Sequence, residues 1–218
     1  MTNKTPEFYK PGNVGAGGDV SIGIDLITER VFLKHLASYG RIDSEESGVM
    51  GEGDYTITLD SLDGSGNFKS NFPYFGSSVA LELDNDVKVG IITNFANGTL
   101  YLKTKTLFQY TKLESIKFFD VIPNPYASVG IFERAYNSKI YAKRLKNSNY
   151  KYRIPGATAL SLALTNQVQF FIYEGEMRSY DINAGLFMCQ GLYQHKEKDL
   201  TIICSKLNHF ENLKKILL

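Results

Sequence analysis

The 218-residue chain holds two cysteines, three histidines and almost no net charge, and each scarcity removes a class of function. Cys189 and Cys204 stand in apolar surroundings, Leu-Phe-Met-Cys and Thr-Ile-Ile-Cys, without a partner motif, so they read as small core residues. His35, His195 and His209 are isolated, and no Cys/His spacing suggests zinc, which leaves oxygen ligands for any metal chemistry. With 24 Lys+Arg against 23 Asp+Glu the formal charge is +1. That balance offers no global field to a nucleic-acid backbone or an anionic membrane, and neither is expected as a partner. Long apolar runs are missing too. Stretches such as Ala157 to Leu164 fall far short of the ~20 residues a membrane span requires, and Met1-Thr-Asn-Lys-Thr-Pro lacks a signal peptide's hydrophobic centre. A soluble cytoplasmic protein is expected. The 43% apolar and 13% aromatic content then suffices for a folded core and excludes disorder.

Residues 25–38 contain neither Gly nor Pro, and Gly40 ends that helix. Its apolar residues Leu26, Ile27, Val31, Phe32, Leu33 and Leu36 point around most of the circumference, which places it between two layers. From Tyr55 the period becomes two, a strand that runs into an acidic loop at 60–65. Residues 79–83 and 87–91 read as a hairpin turned at Asp84-Asn85-Asp86, and Asn97-Gly98 supplies the next turn. The second half alternates: strands at 115–122, 168–173 and 200–204, and helices at 157–165, 181–192 and 210–218. The expected fold is α/β in two parts, a mostly antiparallel sheet with helices over residues 1–114 and an α/β subdomain over 115–218.

The sharpest chemical feature is Asp60-Ser61-Leu62-Asp63-Gly64-Ser65. Two carboxylates three residues apart at a strand end, with the Leu62 carbonyl, suit a hard cation such as Mg²⁺. Gly64 and Ser65 offer backbone N–H groups, which at a helix start receive a phosphate. Glu45-Glu46 upstream and Asp181 at a later helix start add carboxylates from distant positions.

Here the chain resembles the inositol monophosphatase-like, lithium-sensitive sugar phosphatases, a group that includes fructose-1,6-bisphosphatases. The matching pieces occur in the family's order: Gly18-Asp19 and Ile24-Asp25, Ser44-Glu45-Glu46-Ser47, residues 60–68, Phe72-Pro73, Arg153 to Ala159, and Tyr180 to Gly185. The resemblance implies a layered α-β-α-β-α sandwich, and a Mg²⁺-dependent phosphomonoesterase with two or three ions per site. It implies metal ligation by Glu45, Asp60, Leu62, Asp63 and Asp181. Ser65, Glu45 and Asp25 would position and activate the attacking water, and the N–H groups of Gly64 and Ser65 would hold phosphate. Gly156, Ala157, Thr158 and Glu174 would line the sugar site. A small phosphorylated sugar or cyclitol, inositol monophosphate or fructose-1,6-bisphosphate, is the implied substrate, and a homodimer the implied assembly.

Two alternatives accompany this reading: 3'-phosphoadenosine 5'-phosphate as substrate, and a non-catalytic interaction protein on the same fold. Ser61 stands where the family usually has proline, which loosens the acidic loop slightly, and Tyr180 stands for a common tryptophan. The short start and tail would uncover part of one layer to a dimer contact or partner protein. The basic run Lys139, Lys143, Arg144, Lys146 and Lys151 reads as a solvated face, with a second phosphate as its functional alternative.

Overall fold

Strand alternation in the first half builds the larger of two sheets. The computed structural model describes residues 5–197 and 199–218. Strands β1 (Pro11–Val14) and β2 (Val20–Ile22) pair with each other and lead into α1 (Gly23–Leu36). Then come β3 (Arg41–Ser44), β4 (Gly48–Met50), β5 (Tyr55–Asp63), α2 (Ser65–Lys69), β6 (Gly76–Leu83), β7 (Asp86–Asn94), β8 (Thr99–Thr104), β9 (Phe108–Lys112) and β10 (Phe119–Asp120). They form one sheet in the order β10-β9-β8-β7-β6-β5-β3-β4. Its pairings are antiparallel except β3 with β5. The 79–91 hairpin forms as expected. Asp84 and Asn85 both take positive φ, which matches the twist of the strands they join.

The second half adds β11 (Gly130–Glu133), α3 (Tyr141–Asn147), β12 (Tyr152–Arg153), α4 (Thr158–Ala163), β13 (Phe171–Glu174), α5 (Ser179–Met188), β14 (Tyr193–Glu197), β15 (Leu200–Cys204) and α6 (Leu207–Leu217). The sheet order is β12-β11-β13-β15-β14, with β11 parallel to β12 and β13 and the remaining pairs antiparallel.

Five layers result, α-β-α-β-α. On the outer face of the large sheet, Phe32, Leu33 and Leu36 of α1 pack on Ile42, Ile57 and Leu59. Between the sheets, α4 and α5 present Leu160, Ala163, Ala184 and Met188 to Ala80 and Ile92, and Leu162 and Ile182 to Ile131, Phe171 and Ile203. Small residues permit that close layering: a Cβ on Gly185 would lie 2.6 Å from the Leu162 Cβ. On the far face, Leu145 of α3 and Phe210 and Leu213 of α6 cover Phe132, Ile172 and Ile202. Full burial of each such side chain contributes roughly 1.5–3 kcal/mol.

Three expectations are corrected. Helix α1 is not held between two layers: its outer side chains Ile27 and Val31 are 37% and 56% exposed, because the sheet covers only one of its faces. Beside it the outer face of the sheet is open, with Leu36, Tyr39, Val79, Leu81 and Ile91 among the residues lining an apolar groove. The 115–122 strand shrinks to Phe119–Asp120 and joins the first sheet at its edge, where Ile116 and Ile122 find no cover. Finally, 60–63 is strand rather than loop. Strand β5 continues through Asp63, and its register with β6 shifts between Asp60 and Asp63. Such a bulge turns side chains away from the regular alternation.

No helix among the described residues is long and apolar enough to cross a membrane.

Candidate active site

The end of β5 delivers Asp60, Leu62 and Asp63, all buried, because this strand is covered on both faces from Ile57 onward. The turn after β3 brings Glu45, the first turn of α5 brings Asp181, and ligand atoms of Glu45, Asp60 and Asp181 lie within 4.8 Å of one another. Asp25 enters from the first turn of α1, and with Glu45, Glu46, Asp60, Asp63, Gly64 and Ser65 it lines one cleft of about 70 Å³. Thus the acidic residues singled out from the sequence converge, although 136 positions separate Glu45 from Asp181.

Several residues that the sequence pattern does not single out hold this arrangement. Glu29, one turn beyond Asp25 on the buried side of α1, accepts hydrogen bonds from the Ser44 hydroxyl, the Ser47 N–H at 3.1 Å and the Ser47 hydroxyl at 2.7 Å. It fixes the turn that carries Glu45 and Glu46. A carboxylate four residues after Asp25, within an otherwise apolar stripe, was the available signal. Ser61 does not loosen its loop. Buried at 2% exposure, its hydroxyl meets the Asp25 carbonyl at 3.1 Å and the Thr28 hydroxyl at 3.0 Å, tying β5 to α1. Arg178 bonds Asp181 at 3.0 Å, Glu45 at 2.8 Å and Asp19 at 2.8 Å, and donates to the Gly17 carbonyl. It joins the early glycine-rich loop to α5. Apart from Asp181, three residues on, its partners come from far along the chain, so its local sequence shows little of this role. Tyr180 donates to Asp43 at 3.2 Å, so the polar tip of this residue finds a partner.

Crowding of like charges in a dry site is costly, and it shows in the ionisation of every carboxyl in the cluster. Burial, reinforced by Glu45, Asp63 and Asp181, holds the Asp60 carboxyl well above its ordinary range against the 2.8 Å bond from the Leu62 N–H. Burial and then Asp181 do the same to Asp63. Asp181 is raised by burial, with Arg178 opposing. Burial lifts Glu45 to about 7 despite Arg178, and Asp25 to about 6. The Asp25 Oδ1 is shielded and has no hydrogen-bond partner among the described residues. An all-oxygen donor set, buried and mutually repelling, with an orphaned acceptor beside it, fits a hard divalent cation.

Around this cluster, Gly64 takes φ +85 at the start of α2, a conformation that favours glycine, and leaves Ser65 as the first helical residue. Residues 156–158 lie against it: a Cβ on Gly64 would stand 3.1 Å from the Ala157 Cβ. The Thr158 and Leu160 N–H groups donate to Asp63 at 3.1 and 3.2 Å, and the Asn67 amide donates to the carbonyls of Tyr74 and Pro155, each at 2.7 Å. Glu174 closes β13 with its Oε2 shielded and unpartnered among the described residues. The basic run lies elsewhere. Lys143, Lys146 and Lys151 line a separate groove on α3 and β12, Lys139 is exposed, and Arg144 donates to the Leu217 carbonyl. Cys189 and Cys204 are buried core thiols, each pushed up to about 12 by burial.

The model of the inositol monophosphatase family matches residues 23–192. A fructose-1,6-bisphosphatase/inositol-1-monophosphatase of Methanocaldococcus jannaschii is 29% identical over 188 residues, covering 84% of this chain and 72% of its own length. One of that description from Aquifex aeolicus is 32% identical over 166 residues, 72% of this chain and 62% of the relative. Among solved structures, the extragenic suppressor protein suhB of Bartonella henselae superposes with a TM-score of 0.79 at 18% identity, covering 95% of this chain and 88% of that one. The last comparison speaks for the fold alone.

Proposed function

The chain belongs to the inositol monophosphatase family of phosphatases, and from that premise we propose that it hydrolyses a phosphomonoester of a small sugar or cyclitol, with Mg²⁺ held by Glu45, Asp60, Asp63, Asp181 and the Leu62 carbonyl. Inositol monophosphate and fructose-1,6-bisphosphate lead the substrates. The observation that carries this reading is the convergence of buried carboxylates from β5 and α5 and a half-buried one from the 44–47 turn on one point. A binding module has no need for acids that repel one another there unless metal is bound. When bound, Mg²⁺ supplies Lewis acidity, lowering the pKa of water and offsetting charge on the phosphate.

The chain's own residues do the rest. Gly64 and Ser65 present N–H groups to the phosphate at the start of α2. Asp25, Glu45 and the Ser65 hydroxyl orient and activate the attacking water. Gly156, Ala157 and Thr158, packed beside Gly64, form the floor under the sugar, and Glu174 accepts from one of its hydroxyls. Residues 1–114 then serve metal and phosphate, and 115–218 serve the sugar while contributing Asp181. Lithium inhibition, a cytoplasmic location and a homodimer belong to this proposal through the family likeness.

The test is phosphate release from inositol monophosphate, fructose-1,6-bisphosphate, 3'-phosphoadenosine 5'-phosphate and a nucleotide, each with Mg²⁺ and with chelator. Mg²⁺-dependent release from the first two, lost in Asp60→Asn, is expected. Release confined to 3'-phosphoadenosine 5'-phosphate would redirect the substrate assignment, and release indifferent to Asp60→Asn would remove the site.

A further inference from the structure

The first turn of α4 is gripped by two buried carboxylates from different sheets. Asp63, at the end of β5, takes the N–H groups of Thr158 and Leu160. Glu133, at the end of β11 and 1% exposed, takes the Gly156 N–H at 3.0 Å, the Ala157 N–H and the Ser161 hydroxyl. Between them they satisfy the N–H of Gly156 just before the helix and those at 157, 158 and 160, which a helix start leaves without internal partners. The Tyr74 hydroxyl, 3.0 Å from that of Ser161, extends the network back to the segment after α2.

Asp63 therefore has two tasks that compete for its oxygens. It closes the start of α4, and on the reading above it also ligates the metal. A carboxylate fastened by two N–H groups has its plane and position set by them, so wherever α4 begins, Asp63 is aimed accordingly. Glu133 decides where α4 begins: it holds the two residues before the helix and the side chain one turn into it.

We propose that Glu133 is a positioning residue for catalysis: acting through the start of α4, it sets the orientation of Asp63 and, on the far side of that loop, the placement of Gly156 to Thr158 against Gly64. No contact of Glu133 with metal or substrate is required. The proposal rests on Asp63 being a metal ligand, and the test separates the two.

Wild type, Glu133→Gln, Glu133→Ala and Asp63→Asn, each as the 218-residue chain, are compared by Mg²⁺ titration calorimetry, by kcat and KM, and by melting in chelator. Glutamine keeps the shape of Glu133 and one acceptor, so Glu133→Gln stays folded even where Glu133→Ala does not. Misaimed ligands weaken metal binding by about 10–100-fold when an orienting partner is lost. The expected result is Mg²⁺ affinity about tenfold weaker in folded Glu133→Gln, with kcat reduced and KM raised together. A residue that merely stabilises the fold would lower the melting temperature and leave Mg²⁺ affinity, kcat and KM within about twofold, and that outcome overturns the proposal. If Asp63→Asn itself leaves Mg²⁺ affinity unchanged, the ligand assignment fails and the proposal with it. If Asp63→Asn weakens it and Glu133→Gln does not, only the role of Glu133 fails.

Discussion

Burial sets the ionisation of Glu45 and Asp25, at about 7 and about 6, above the ordinary 4.5 and 3.8 of their side chains. Both shifts have the same sign for stability. In the metal-free protein these carboxyls bind protons that the unfolded chain has already released between about pH 4 and pH 7, so stability falls as pH rises through that window. In chelator the melting temperature should be lower at about pH 8 than at about pH 5, as read by scanning calorimetry. An equal or higher value at the alkaline end contradicts the crowding of charge at this site. Mg²⁺ affinity runs the other way and strengthens with pH, because ligands must lose their protons to bind. Ser61 gives a second residue-scale prediction. Its hydroxyl is buried between α1 and β5, so Ser61→Ala should cost about 1 kcal/mol in denaturant unfolding. No loss would mean that serine merely tolerates the place of the family's proline.

At the scale of elements, the short helix α2 depends on Gly64. Its φ is +85, strained for any other residue, and a Cβ there would meet the Tyr74 carbonyl at 3.0 Å and the Ala157 Cβ at 3.1 Å, so both neighbours would have to give by a few tenths of an ångström. Gly64→Ala should therefore cost about 1–2 kcal/mol from backbone handedness alone, and should push α2 away from the 156–158 segment, raising KM for the phosphate ester. A variant with wild-type melting and KM would show that the loop does not touch substrate. Elements with a clear local pattern were legible in the sequence: α1, the 79–91 hairpin, β15 and α6 follow from period, turn residues and length. Others were not. β3, β4 and β11 are three or four residues long, too short to show a period, and β3 and β11 pair with strands further along the chain. Ile116 and Ile122 mimic strand alternation yet lie at an uncovered edge. The acidic residues were visible because carboxylates at that spacing carry their chemistry in the local sequence. Glu133 and Arg178 were not, because what marks them is burial or a partner's position, both set by tertiary packing, and Glu29 showed only as a carboxylate within the apolar stripe of α1.

For the whole molecule, a metal held by this cluster would also be a folding ligand. Carboxylates from β5, α5 and the 44–47 turn repel one another across three parts of the chain, so binding to the native state alone adds stability by mass action. At a hundredfold excess over its Kd, Mg²⁺ should contribute about 2.7 kcal/mol, which for a chain of this size raises the melting temperature by roughly 5–10 °C. The rise should vanish in Asp60→Asn, and a rise that survives there places the metal elsewhere. The five-layer arrangement explains why the site needs the entire fold: Asp60 and Asp63 come from the first sheet, Asp181 from a helix between the sheets, and Glu133 from the second sheet.

The most direct test of the central claim is anomalous diffraction from crystals soaked in Mn²⁺, a visible substitute for Mg²⁺. The account predicts density bounded by Glu45, Asp60 and Asp181, absent in crystals of Asp60→Asn. Ordered Mn²⁺ bound only outside that cluster, or none in crystals that still release phosphate with Mn²⁺, would contradict it.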